Sequence, residues 1–364
     1  MLLSFIIVAY NAEQKLPALL EDLQAQTCDR RDVELLLVDG RSEDGTRQVM
    51  ERYCREHGGE YRRVLVLDNP GKTLPCGWNV ALSAALGEVI LRVDAHARIP
   101  ADFIQENLRA LEAGEDIVGG PCISIIDQDS GWQRVLLQAE NSLFGSGIAR
   151  FRSGTVNQYV STLAHAAYRR KVFEQVGGYD QRLARTEDNE IHYRMRSAGY
   201  RFYFTTSIHF YHHARSSLKA MVRQKYGNGK WIGLTMGISP KCFSLYHLVP
   251  GCFVLALLGG LALGLFGWWW PLWLLLIAYF AVALAMTAAS MVQLGREKQG
   301  WTPWSLLLPA IFFLLHTAYG VGTVTGLARM PFWRRRPENR SCPQIDKTRQ
   351  AMLQNHAADA SGEA

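Results

Sequence analysis

The chain has 364 residues, room for one large domain or two ordinary ones, and 48% of its residues are apolar. Its 39 Lys and Arg outnumber its 33 Asp and Glu, giving a net charge of +6. Seven scattered cysteines, odd in number and with no C-x-x-C, argue against a disulfide framework or a zinc site. The average hides two unlike halves. Charged residues are interspersed up to about residue 241, then almost vanish over residues 243–328 apart from Arg296, Glu297 and Lys298.

In chain order, residues 3–9 read as a buried strand, too short and too poor in N-terminal basic residues for a secretory signal. Residues 12–26 carry a helical apolar period through Leu16, Leu19, Leu20 and Leu23. A second strand, 34–38, ends at Asp39-Gly40, and 42–55 is a helix that opens on acidic residues. A third strand (64–67), a helix (74–85) and a fourth strand (89–93) follow, the last reaching Asp94. This alternation predicts an α/β domain with a mostly parallel sheet and helices on both faces.

Asp94 and His96 sit where an apolar strand ends, the edge at which parallel sheets open onto a ligand crevice. There a hard divalent cation can bridge them to a diphosphate. Asp39, at the end of another strand, can accept from an imide or hydroxyl, or serve only in a capping turn with Ser42 and Asp44. No G-x-G-x-x-G follows the first strand and no G-x-x-x-x-G-K-[ST] is present, which disfavours a nicotinamide fold and a P-loop. Farther on, Glu187, Asp188 and Glu190 open a helix. Negative charge is favoured there, and a rigid element would fix a general base against a substrate hydroxyl. His212 and His213 add imidazoles downstream.

With these residues in order, the chain resembles the inverting family 2 glycosyltransferases, and among them the membrane-bound enzymes of succinoglycan-type exopolysaccharide assembly. The resemblance covers residues 3–231: Val8-Ala9-Tyr10-Asn11, Val38-Asp39-Gly40-Arg41-Ser42, Asn69-Pro70-Gly71-Lys72 with Trp78-Asn79, Arg92-Val93-Asp94-Ala95-His96, Gly177-Gly178-Tyr179-Asp180, and Glu187-Asp188. It implies a GT-A-type nucleotide-sugar fold. It also implies that Tyr10, Asp39, Lys72, Asn79 and Asp94 meet a UDP-sugar, with Asp39 on the base. Asp94, with His96 and His212, would hold Mg²⁺ or Mn²⁺. Asp188 corresponds to the catalytic base, with Glu187 beside it as the alternative. Residues 223–231 only loosely match the Q-x-x-R-W segment of polymerising members, so a single transfer is expected ahead of a processive synthase.

Three apolar segments, 245–266, 270–292 and 304–327, are long enough to span a bilayer, and Trp268, Trp269, Trp270 and Trp273 cluster at one boundary. The expected organisation is a cytoplasmic catalytic domain (1–241), a membrane region with two or three transmembrane helices (242–328), and a basic, then polar, disordered tail (329–364). The expected location is a bacterial inner membrane, multi-pass. Expected partners are a lipid-linked saccharide, undecaprenyl-diphosphate-linked, and other polysaccharide-assembly enzymes, with no nucleic acid. Three spans would leave Arg329 and Arg334 to Arg336 on the outer face, against the positive-inside rule. A sugar nucleotidyltransferase is disfavoured by the lack of a Gly-rich basic N-terminal loop. A non-catalytic membrane scaffold would leave Asp39, Asp94 and Asp188 unexplained.

Overall fold

A computed structural model describes residues 1–145, 154–296 and 301–361. In chain order its N-terminal part holds β1 (Leu3–Ala9), α1 (Leu16–Gln24), β2 (Val33–Asp39), α2 (Thr46–His57), β3 (Arg63–Asp68), α3 (Leu74–Ala84) and β4 (Val89–Asp94). Then come β5 (Ala97–Arg98), α4 (Phe103–Glu112), β6 (Ile117–Gly119), β7 (Cys122–Ile125) and α5 (Gly131–Asn141). They are followed by β8 (Gln158–Val160), β9 (Ala167–Arg169), α6 (Arg170–Val176), α7 (Glu187–Ser197), β10 (Phe202–Phe204) and β11 (Phe210–His213).

The chain divides into two compact units, and not at residue 241 as expected. Unit 1 takes residues 1–123, 154–212 and 338–364; unit 2 takes 124–153 and 213–337. The reason is that chain on both sides of unit 2 contributes to one sheet and its covering helices.

Unit 1 is built on an eight-stranded sheet of order β3-β2-β1-β4-β9-β6-β10-β8. The first four strands in that order are parallel, whereas β9 runs antiparallel to both β4 and β6. All seven residues of β1 and of β2 are buried, which is why both are apolar but for Ser4, Glu34 and Asp39. After β1 the chain winds outward to β2 and β3, then returns to place β4 on the other side of β1. That reversal is a topological switch point, and ligands of open α/β sheets bind beyond the strand ends there. Val8 pairs with Asp94 on one side, and Ala9 with Asp39 on the other.

The tail expected to be disordered is instead a helix, Gln344–Ser361, lying on α3 and α6. Arg170 donates to the carbonyls of Ala85 and Met352, and Asn355 donates to the Ser83 carbonyl at 3.0 Å. Gly177, at φ +80°, lets the chain turn under this helix; a Cβ there would come within 2.7 Å of the Ile345 carbonyl oxygen. Polar composition concealed an amphipathic packing that buries Thr348 and Met352 completely.

Among the described residues unit 2 contains α5 and four further α-helices: α8 (Leu218–Thr235), α9 (Val249–Leu265), α10 (Trp270–Arg296) and α11 (Leu308–Arg335). Its core joins Val135, Leu136 and Ala139 of α5 to Met221 of α8, Ala283 of α10 and Ile311 and Phe312 of α11. Helices α8 and α11 meet backbone to backbone through two G-x-x-x-G pairs, Gly229/Gly233 and Gly322/Gly326. A Cβ at Gly326 would stand 2.1 Å from the Lys230 carbonyl oxygen, and one at Gly229 would stand 2.0 Å from that of Tyr319. Among the described residues two helices, Trp270–Gly295 and Pro303–Arg335, are long and apolar enough to cross a membrane. The first of the three expected segments forms a shorter helix of 17 residues, α9.

Candidate active site

The crevice at the ends of β1, β2 and β4 is shaped by tight backbone. Asn11 after β1, Arg41 after β2 and Lys72 after β3 all adopt left-handed φ, at 48°, 59° and 58°. Non-glycine residues hold that conformation only where their surroundings enforce it, and such positions cluster at functional sites. Here side chains tie the first two loops together. Asn11 Oδ1 accepts from the Glu43 amide at 2.8 Å, Asn11 N donates to Ser42 Oγ at 3.0 Å, and Ala12 N donates to Thr46 Oγ1 at 2.7 Å.

Asp39 is buried, and it accepts from the Ser42 amide at 3.2 Å. This satisfies the capping alternative and leaves the carboxylate with further acceptor capacity. Tyr10 is half exposed at the mouth of the crevice, and Lys72 is exposed on its left-handed turn. Asn79 is a correction. It is fully buried, its Nδ2 donating to the Tyr179 carbonyl at 2.8 Å and its Oδ1 accepting from the Tyr179 amide at 2.7 Å. With both ends of its amide engaged by backbone, Asn79 pins the Gly177-Gly178-Tyr179 turn and cannot touch a sugar nucleotide.

Asp94 ends β4 with His165 against it, the imidazole Nε2 lying 3.2 Å from Oδ2. Burial works to raise the Asp94 pKa, but the charge and hydrogen bond of His165, helped by His96 and Arg92, outweigh it and hold the carboxyl well below its usual range. The group is therefore an anion at any physiological pH. The His96 and His212 rings meet edge to face at 5.0 Å, because His212 pairs with Ala97 across β11 and β5. The three-ligand set expected of Asp94, His96 and His212 is nonetheless not assembled. Among the described residues no three His, Cys, Asp or Glu side chains gather to hold an ion. The donor chemistry suits a hard cation that takes most of its ligands from phosphate oxygens and water, the usual habit of Mg²⁺. His213, the neighbouring imidazole, belongs to unit 2 and bonds Asp127.

The carboxylate pair at the start of α7 separates into two states. Glu187 is buried, and desolvation, reinforced by the charges of Asp188 and then Asp94, pushes its pKa up to about 8, so it carries a proton at neutral pH. Asp188 is partly exposed, and Arg92 Nη2 stands 2.6 Å from its Oδ1. A neutral Glu187 is a poor proton acceptor, which leaves Asp188 as the basic member of the pair.

Arg92 was missed by sequence reasoning, although a charged residue inside an otherwise apolar strand was a usable signal. Its guanidinium is buried between Trp78 and Tyr179, 5.3 and 5.4 Å from their ring centroids. Behind it Tyr168 is held by His192, whose Nε2 is 3.0 Å from the phenol oxygen, while Thr162 bonds the other ring nitrogen at 2.8 Å. His165, at φ +47°, gave no sequence signal at all. The buried atoms Trp78 Nε1, His165 Nδ1 and Glu187 Oε2 find no hydrogen-bond partner among the described residues. Leaving such atoms unsatisfied costs about 1–3 kcal/mol each, the signature of a site prepared for a polar ligand.

Comparison with known proteins decides the family. Residues 4–177 match the model of glycosyl transferase family 2. The succinoglycan biosynthesis protein ExoA of Rhizobium meliloti is 30% identical over 230 residues, 62% of this chain and 67% of that protein. The chain belongs to glycosyltransferase family 2. A second relative covers more of the chain. The dolichyl N-acetyl-alpha-D-glucosaminyl phosphate 3-beta-D-2,3-diacetamido-2,3-dideoxy-beta-D-glucuronosyltransferase of Methanococcus voltae is 23% identical over 335 residues, 90% of this chain and 97% of its own. Among solved structures, the mannosyltransferase PcManGT of Pyrobaculum calidifontis, in complex with GDP-Man and Mn²⁺, superposes with a TM-score of 0.56 at 17% identity. It covers 92% of this chain and 88% of its own, and it supports the GT-A-like fold. The family 2 domain is thus a glycosyltransferase on a mostly parallel α/β sheet, followed by apolar helices suited to membrane anchoring.

Proposed function

We propose that this enzyme transfers a single hexose from a UDP-sugar to a lipid-linked saccharide at the cytoplasmic face of a bacterial inner membrane. UDP-glucose is the first donor to test, and an undecaprenyl-diphosphate-linked sugar the acceptor. The observation that carries the reading is the spacing of the strand-end carboxylates. Asp39 and Asp94 lie on strands flanking β1, two strand spacings or roughly 10 Å apart, a distance over which a nucleoside diphosphate can lie with its base at one end and its phosphates at the other. The relatives support a lipid-linked acceptor, since one is named for a dolichyl-linked sugar phosphate and another for undecaprenyl phosphate.

In this mechanism Asp39 accepts a hydrogen bond from the base, and Tyr10 and Lys72 flank the donor. Asp94, with His96 and His212 nearby, is the group that would hold Mg²⁺ or Mn²⁺. The ion, when bound, supplies a Lewis acid for the charge on the departing diphosphate. Asp188 takes the proton of the acceptor hydroxyl as that oxygen attacks the anomeric carbon from the face opposite the leaving group, inverting its configuration. Arg92 pairs with Asp188 and aims it, and the protonated Glu187 adds no competing negative charge. Incubating membranes with a panel of radiolabelled nucleotide sugars tests the proposal. Label entering the lipid fraction as one added hexose supports it. Release as free sugar phosphate, a ladder of growing chains, or no movement of label would each overturn it.

A further inference from the structure

The turn Gly177-Gly178-Tyr179 is held from four elements of unit 1. From α3, Asn79 bonds both the amide and the carbonyl of Tyr179. From α7, Arg194 donates to the carbonyls of Val176 and Gly178 at 2.5 and 2.7 Å, and Glu190 on the same helix fixes its guanidinium with two bonds of 2.7 and 2.9 Å. On β4, the Arg92 guanidinium lies over the Tyr179 ring. The fourth element is the C-terminal helix, α12 (Gln344–Ser361), whose Ile345 carbonyl accepts from the Gly178 amide at 3.0 Å. Two of these ties lead to one side chain. Arg92 pairs with Asp188, and Asp188 sits on the helix that Arg194 anchors.

The fit of α12 to this turn is close. Thr348 is fully buried, and a Cβ at Gly178 would fall 2.7 Å from the Thr348 Cβ, so a side chain at 178 would push the helix away. The Thr348 hydroxyl has no hydrogen-bond partner among the described residues, which leaves shape as what the residue contributes. One helical turn on, Met352 is fully buried and its carbonyl accepts from Arg170. The chain just before α12 is tied to the same loop. Arg182 donates to both carboxylate oxygens of the buried Asp180, at 2.9 and 2.6 Å, and its Nη1 donates to the Asn339 carbonyl at 3.1 Å. A general base works only within hydrogen-bond reach of the hydroxyl it deprotonates, and a misplacement on the order of 1 Å can cost about 10²-fold in rate. Asp188 takes its direction from Arg92, and Arg92 lies against the ring of Tyr179. A displaced turn would move both the ring and the anchor of α7.

We propose that α12 is a positioning element of the transfer reaction: Thr348 and Met352 seat the helix on the Gly177-Gly178-Tyr179 turn, and the turn holds Arg92, and with it Asp188, in line with the acceptor hydroxyl. Thr348 and Met352 act through Tyr179 and Arg92 rather than on a substrate. The proposal rests on the reading of Asp188 as the base, and it adds to the machinery a helix whose polar sequence carries no catalytic motif.

The test is a double-mutant cycle in the full-length enzyme, read by kcat for transfer of radiolabelled sugar and by calorimetric binding of the UDP-sugar. Thr348→Arg drives a long charged side chain into a fully buried position and lifts α12 from Gly178. Met352→Ala is the milder variant that carries the test should Thr348→Arg not fold. Either change is expected to lower kcat by about 10-fold or more with donor affinity and stoichiometry unchanged, and the conservative Thr348→Val should restore it. In an Asp188→Asn background the same changes should cost nothing further, because the base that they aim is gone. An equal fold-loss in both backgrounds, or a donor stoichiometry that falls in step with kcat, would make α12 a structural support only and overturn the proposal. So would a wild-type kcat in both Thr348→Arg and Met352→Ala. Near-normal transfer by Asp188→Asn alone would instead defeat the base assignment on which the proposal rests.

Discussion

The candidate site in unit 1 is held by charged side chains, with Arg92 Nη2 2.6 Å from Asp188 and His165 Nε2 3.2 Å from Asp94. The contact of α8 with α11 in unit 2 is instead held by backbone, so close that a Cβ at Gly322 would fall 2.2 Å from the Tyr226 carbonyl oxygen. In the first region several polar atoms are buried with no hydrogen-bond partner among the described residues. In the second, large apolar side chains are exposed without cover. Each region is left incomplete in the currency of a different ligand, a phosphorylated sugar for one and a lipid phase for the other. The difference teaches that the two can be broken independently, because chemistry depends on charges in unit 1 and anchoring on packing in unit 2.

The sharpest break in unit 1 is at Asp94. Asp94→Ala is expected to abolish transfer of radiolabelled sugar, and excess chelator should do the same to the wild-type enzyme. His96→Ala, more mildly, should raise the Mg²⁺ or Mn²⁺ concentration needed for half-maximal rate. Full turnover in excess EDTA would remove the metal from the mechanism. At Asp188 the change to Asn keeps shape but removes the proton acceptor, so transfer should fall by about 10²-fold or more while calorimetric donor binding persists. Near-normal transfer would discard Asp188 as the base.

These residues also show where sequence reasoning reached and where it stopped. The strand-helix alternation made β1 to β4, Asp39 and Asp94 legible, since buried parallel strands and their ends have local signatures. Glu187-Asp188 was legible as a pair, but the proton on Glu187 comes from burial that no local pattern records, and Arg92, the partner of Asp188, is 96 positions away in sequence. Asn79 was misread for the same reason. Its partner, the backbone of Tyr179, is 100 residues distant. In unit 2, apolar composition announced the helices but not their roles. The G-x-x-x-G pairs that join α8 to α11 were present in the sequence as a readable signal, whereas the return of residues 344–361 to unit 1 was hidden by their polar composition.

A break confined to unit 2 follows from the glycine contact. Gly326→Leu forces a side chain against the Lys230 carbonyl and should destabilise by about 1–3 kcal/mol or more, seen as a lower thermal midpoint in detergent. Gly59→Ala, where a Cβ meets nothing within 4 Å, is the neutral control. Equal midpoints for the two would refute the close packing of α8 on α11.

The smallest effect concerns Glu187. Its folded pKa is raised to about 8 from 4.5, so between those values the folded chain holds a proton that the unfolded chain has lost. Stability from this group therefore falls as pH rises through that window and levels off above it. Glu187→Gln should flatten the thermal midpoint between pH 5 and 8, whereas an unchanged slope would mean that Glu187 ionises normally.

Inverting transfer requires a single displacement driven by Asp188 from the face opposite the leaving diphosphate. The anomeric configuration of the new linkage, read by NMR from the lipid-linked product of an α-configured UDP-hexose, tests it directly. A β-linkage is predicted. An α-linkage would require retention and would contradict the mechanism.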